Sequence, residues 1–148
     1  MFKRVYHYCN ELSFSVLLNQ LKDGENMSHI TTYTGKHFDP LAATADEIDI
    51  TDISHALHLL CRANGHFPHF YSVAQHSINC AKEAVVREYS KRIQLGCLLH
   101  DASEAYMSDV TRPLKKLLPD YLKAEDRLQN VIWNKWITPE LTGEEKKE

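Results

Sequence analysis

No C-x-x-C pair occurs among the four cysteines, at 9, 61, 80 and 97, and they do not cluster. Neither a zinc knuckle nor a disulfide framework is therefore indicated. No apolar run approaches the roughly 18 residues of a membrane span; the longest, Leu12 to Leu18, is interrupted by Ser13 and Ser15. Lys3 and Arg4 precede it, but no small-x-small cleavage site follows, so the pattern of a signal peptide is absent. Nor is there a surplus of positive charge: 17 Lys and Arg stand against 20 Asp and Glu, a formal net charge of -3. That excludes the global electrostatic footprint of a duplex-binding protein. The expectation is a cytoplasmic protein, bound neither to duplex nucleic acid nor to membrane, with Cys61, Cys80 and Cys97 as buried, reduced thiols.

What is present is one domain's worth of chain: 148 residues, 43% hydrophobic and 25% charged. Nine histidines in that length draw attention, since His is the commonest metal ligand and titrates near neutrality. Residues 1–28 read as an extension outside the functional domain, with Met27 a second candidate start. Residues 29–137 read as the domain itself, and 138–148 as a polar tail in which Thr138 and Pro139 begin a helix that is not completed.

Ser28 to Phe38, with β-branched and aromatic residues flanking Gly35, predicts a short strand or hairpin. Thr51 or Asp52 offers an N-cap for a helix through about Ala63, with Ile53, Ala56, Leu57 and Leu60 apolar and Asn64-Gly65 as the stop. Ser72 caps a second helix running towards Tyr89, its apolar positions including Val73, Ile78, Ala84 and Val85. A third covers about Arg92 to Tyr106 and, being apolar over most of its circumference, is expected to be the central, buried one. Leu114 to Leu118 forms one or two turns, and Pro119 opens a last helix through Trp136. The fold class is all-α, a helical bundle with a short irregular or hairpin N-terminal subregion.

His100-Asp101 follows the apolar run Cys97-Leu98-Leu99 directly. A buried charge needs a partner, and a divalent cation supplies one. Imidazole nitrogen with carboxylate oxygen suits Mn, Fe, Co, Ni or Zn better than Mg alone. Glu104, at i+4 from His100 and i+3 from Asp101, is expected on the same helix face, placed to act on whatever the metal holds. Elsewhere, His55 with His58 and His66 with His69 could be drawn as a four-histidine zinc site, but partly exposed histidines are the simpler reading. Trp133 and Trp136 read as core or oligomer contacts, and a homo-oligomer stays open.

Three ordered blocks then matter together: Asp52-Ile53-Ser54-His55-Ala56-Leu57 with Arg62-Ala63-Asn64-Gly65-His66; Phe70-Tyr71-Ser72-Val73-Ala74-Gln75-His76-Ser77; and His100-Asp101-Ala102-Ser103-Glu104-Ala105-Tyr106 with Asp109-Val110-Thr111-Arg112-Pro113-Leu114-Lys115. From Thr32 to Trp136 the chain resembles the HD-domain phosphohydrolases, in particular the branch of the 5'-deoxynucleotidases and phage deoxynucleotide phosphohydrolases. The resemblance implies one divalent metal held by His76, His100 and Asp101, with Glu104 handling the attacking water. It implies Arg62 facing the phosphate or sugar, Asp109 and Lys115 in a loop over the nucleotide, and Asp109 assisting near the leaving oxygen.

The family pattern ends with a distal Asp on a later helix, and the sequence departs from it there: Glu140, Glu144, Glu145 and Glu148 lie in or beside a polar tail. The expected function is metal-dependent hydrolysis of a phosphate ester or anhydride in a small-molecule deoxynucleotide. Two alternatives stand beside it: a truncated, inactive nucleotide-binding module, and an HD-type hydrolase of a non-nucleotide phosphoester.

Overall fold

The computed structural model describes residues 29–137 together with 142, 143 and 145; the expectations for residues 1–28 and for most of the tail lie outside the described residues. The protein is all-α apart from a small antiparallel hairpin, β1 (Ile30–Thr31) with β2 (His37–Phe38), in which Ile30 pairs with Phe38 and Thr31 with His37. Gly35 makes the turn at φ +84°, a conformation that costs a residue without Cβ little.

The first helix among the described residues, α1 (Ile50–Leu59), is capped by Asp49 and not by Thr51 or Asp52. The Asp49 carboxylate accepts from the Thr51 N–H at 2.9 Å and from the Lys36 ammonium at 2.9 Å. Asp52 is instead buried and accepts from the Thr34 backbone N–H at 2.7 Å and the Thr34 hydroxyl at 2.9 Å. A polar residue that reads as a cap thus ties the hairpin to the helix. The helix ends at Leu59, short of Ala63, because the chain turns back on itself. Arg62 N–H donates to the Tyr71 carbonyl at 2.8 Å and Val73 N–H to that of Leu60 at 3.0 Å.

Helix α2 (Val73–Val86) begins as expected, with the Ser72 hydroxyl accepting from Gln75 N–H. It stops before Tyr89 because Glu88 adopts φ +58° and the Tyr89 N–H bonds the Ala84 carbonyl, a left-handed cap. The expected third helix is divided into α3 (Lys91–Leu99) and α4 (Glu104–Met107). Between them the bonds tighten, Ala102 N–H to Leu99 O and Glu104 N–H to Asp101 O. A side chain from the last helix fills the break: Gln129 accepts from Ser103 N–H at 3.0 Å and donates to the Leu99 carbonyl at 2.7 Å. Nor is α3 the enclosed centre, since Leu98 is exposed, as are Ile78 and Val85 on α2.

After α5 (Arg112–Lys115), Pro119 at the first turn opens α6 (Pro119–Trp136). Helices α2 and α3 form the largest interhelical contact, α1 packs on α2 and α4, and α6 closes over α3 and α5. Phe38, Ile48, Ile53, Leu57, Val73, Leu99, Leu128 and Ile132 form one core, with Trp133 and Trp136 packed partly buried against it. Burial of each Leu or Ile is worth about 1.5–3 kcal/mol. Among the described residues no helix is long and apolar enough to cross a membrane.

Candidate functional site

The packing of α2 on α3 brings His76, one turn into α2, against His100 at the end of α3, with their Nε2 atoms 3.2 Å apart. His100 Nδ1 lies 2.8 Å from the Cys97 carbonyl oxygen. A carbonyl only accepts, so Nδ1 carries hydrogen, and in the neutral ring the Nε2 lone pair faces the site. The break between α3 and α4 then turns Asp101 inwards. Its Oδ2 stands 3.0 Å from His100 Nε2 and 3.5 Å from His76 Nε2. That oxygen is buried and makes no well-formed hydrogen bond.

Donor chemistry and spacing both suit a cation. Ligand atoms about 2.1 Å from a metal stand about 3.0 Å apart at right angles and about 3.4 Å apart at tetrahedral angles. The His76, His100 and Asp101 triangle has edges of 3.2, 3.0 and 3.5 Å, two within that range and the third just above it. Cys80, a helical turn beyond His76, offers an overlapping set: its sulfur, His76 and His100 lie within 4.8 Å of one another. Burial, then the Asp101 charge, pushes the Cys80 thiol upwards. No group of His55, His58, His66 and His69 able to hold a metal forms among the described residues; His55 instead stacks on Tyr33, ring centroids 3.7 Å apart.

One guanidinium organises the acidic side. Arg62 Nη1 lies 3.2 Å from Asp101 Oδ2, 3.2 Å from Glu104 Oε2 and 3.0 Å from Asp109 Oδ1. Lys115 Nζ stands 3.6 Å from Glu104 Oε1 and 2.6 Å from Glu125 Oε1. All seven residues singled out from the sequence (Arg62, His76, His100, Asp101, Glu104, Asp109 and Lys115) therefore meet in one place.

The electrostatics follow from burial among like charges. Glu104 is almost fully enclosed, and desolvation with the Asp101 and Asp109 carboxylates pushes its pKa up to about 8, against the pull of Arg62 and Lys115. Burial, Arg62 and His100 hold His76 below the ordinary histidine value. Burial opposes protonation of His100 too, but the neighbouring Asp101 carboxylate outweighs it and raises the pKa. The same pairing overcomes burial at Asp101 and lowers its pKa.

A cleft of about 440 Å³ opens beside these groups, lined by His100, Asp101, Lys115, Glu125, Asn130 and Trp133 among others. Its size is that of a small-molecule site. Glu125 and Gln129 were not evident as site residues from sequence. A signal existed: both fall at helical spacing on the stripe that carries Ile132 and Trp136, and a polar residue on an apolar stripe marks a buried partner.

No family model matches the chain. It is 44% identical over 113 residues to "Uncharacterized protein YfdR" of Escherichia coli (strain K12), covering 76% of this chain and 61% of that one. It is 36% identical over 105 residues to "Uncharacterized protein RCAP_rcc00048" of Rhodobacter capsulatus, covering 67% of this chain and 53% of that one. The chain thus spans less than two thirds of either relative.

Proposed function

We propose that this protein is a metal-dependent phosphohydrolase of deoxynucleotides. The observation that carries the reading is the triangle of His76 Nε2, His100 Nε2 and Asp101 Oδ2 with a buried carboxyl, Glu104, and a guanidinium, Arg62, immediately beside it. His76, His100 and Asp101 would hold one ion of Mn, Co, Fe, Ni or Zn. When bound, such an ion supplies an acidified water and polarises a phosphoryl oxygen.

The chain's own groups do the rest. Glu104 orients the water and, as the ionised carboxylate, takes its proton. The Arg62 guanidinium and the Lys115 ammonium face the phosphate and offset its charge. The cleft beside Trp133 and Asn130 accepts the nucleoside. The test is elemental analysis of the purified chain, with phosphate release from a panel of deoxynucleoside mono- and triphosphates before and after metal stripping. Release that disappears on stripping and returns with one of these ions supports the reading. Neither metal nor turnover would favour an inactive nucleotide-binding module, and turnover of other phosphoesters alone would reassign the substrate.

A further inference from the structure

Asp109 has both carboxylate oxygens engaged by one short segment. Oδ1 meets Arg62 at 3.0 Å, and Oδ2 accepts from the Ala63 backbone N–H at 2.9 Å. That segment is strained: Ala63, Asn64 and Gly65 all have positive φ, at +52°, +52° and +77°. Asn and Gly tolerate the left-handed region, whereas alanine has no side-chain polar group to compensate and seldom enters it.

Asp109 also follows a second strained residue. Ser108 has φ +74° and ψ 156°, a region otherwise left to glycine. It is pinned by its N–H to the Glu104 carbonyl at 2.9 Å and by the Tyr121 hydroxyl 3.0 Å from its own carbonyl. Two strained turns from distant parts of the chain thus meet at one buried carboxylate. Such conformations persist only where the surroundings over-determine them.

We infer that Asp109 is a positioning residue: it latches the left-handed turn at Ala63 and so fixes the Arg62 guanidinium against Asp101 and Glu104. On this account it exchanges no proton with a leaving group. The inference rests on Arg62 being the cation that meets the phosphate, but the latch is measurable without turnover.

The experiment uses the full chain. Amide exchange of Ala63 is followed by NMR in the wild type, Asp109→Ala and Asp109→Asn, together with urea unfolding of Ala63→Gly alone and combined with Asp109→Ala. The wild-type Ala63 N–H is expected to be protected, and Asp109→Ala to abolish that protection. Asp109→Asn, which keeps an oxygen for the N–H, should retain protection and hold kcat/KM within about tenfold of wild type with an unshifted pH profile, while Asp109→Ala loses at least about a hundredfold. Glycine adopts the left-handed turn at little cost, so Ala63→Gly should stabilise the wild type, whose latch holds Ala63 in strain, more than the Asp109→Ala protein, whose turn is free to relax. Free exchange at Ala63 in the wild type, or additive effects in the cycle, would overturn the latch. So would Asp109→Asn turnover as low as that of Asp109→Ala with the amide still protected. If the wild type hydrolyses nothing in the panel, the hydrolase reading fails, while exchange and the unfolding cycle still decide the latch.

Discussion

His76 and His100 face each other across the α2–α3 contact with their Nε2 atoms 3.2 Å apart, and the Cys97 carbonyl fixes which nitrogen of His100 is free to ligate. Two imidazoles at that separation share protons poorly: His100 is shifted upwards by Asp101, His76 downwards by burial and Arg62. A metal needs both Nε2 lone pairs, so binding displaces the proton that His100 retains. Cobalt affinity of the metal-free chain should therefore strengthen from pH 6 to pH 7.5, and His100→Ala should weaken it more than about a hundredfold. Equilibrium dialysis at the two pH values measures both.

Glu104 provides a pH dependence with a definite sign. Its folded pKa, about 8, lies above the ordinary 4.5. The folded state therefore binds more protons than the unfolded state between those values, and this contribution to stability is full below about pH 4.5 and lost as pH rises through 8. The metal-free wild type should lose stability from pH 5 to pH 9 relative to Glu104→Gln, whose side chain does not titrate. Thermal melts of the two proteins across that range give the difference, and a flat difference would contradict the assignment. Glu104→Gln should also abolish turnover while leaving metal content intact.

Arg62 is the counter-charge to the Asp101 and Asp109 carboxylates and also touches the Glu104 carboxyl. Arg62→Met leaves the two carboxylates uncompensated, at a cost of about 3 kcal/mol in the metal-free protein. Added divalent metal supplies a replacement charge and binds only the folded state, so the deficit should shrink as metal is titrated in. Urea unfolding with and without manganese checks this.

Gln129 joins α6 to the break that turns Asp101 inwards. Gln129→Ala strands the Ser103 N–H and the Leu99 carbonyl in a buried setting, at a cost of about 2–4 kcal/mol. Because the break carries the ligand, metal affinity should fall with stability. Gln129→Glu, which keeps an acceptor for Ser103 but buries a carboxylate oxygen against the Leu99 carbonyl, should cost at least as much as Gln129→Ala.

The contrast between Ser72 and Gln129 marks how far the sequence was legible. Ser72 and Pro119 open their helices through local rules, and the periodicity of Ile53 with Leu57 and of Leu128 with Ile132 locates the core. The positions of the site residues along the chain were legible too, because they fall in motif blocks. The division of the third helix was not: every residue from Ile93 to Tyr106 is compatible with one continuous helix, and the break is made by hydrogen bonds from a side chain 26 residues away. Asp52 misled for the same reason. Its partner, Thr34, comes from the hairpin, and nothing near it in sequence distinguishes a cap from a buried acceptor. The latch at Ala63 is likewise a property of tertiary contact, invisible until Asp109 is placed against it.

The most direct test of the account is the metal stoichiometry of three metal-stripped proteins dialysed against cobalt: wild type, Cys80→Ser and Asp101→Asn. The wild type and Cys80→Ser should each take up one ion with similar affinity, and Asp101→Asn should bind at least about tenfold more weakly. Loss of the ion in Cys80→Ser with full retention in Asp101→Asn would contradict the His76, His100 and Asp101 centre.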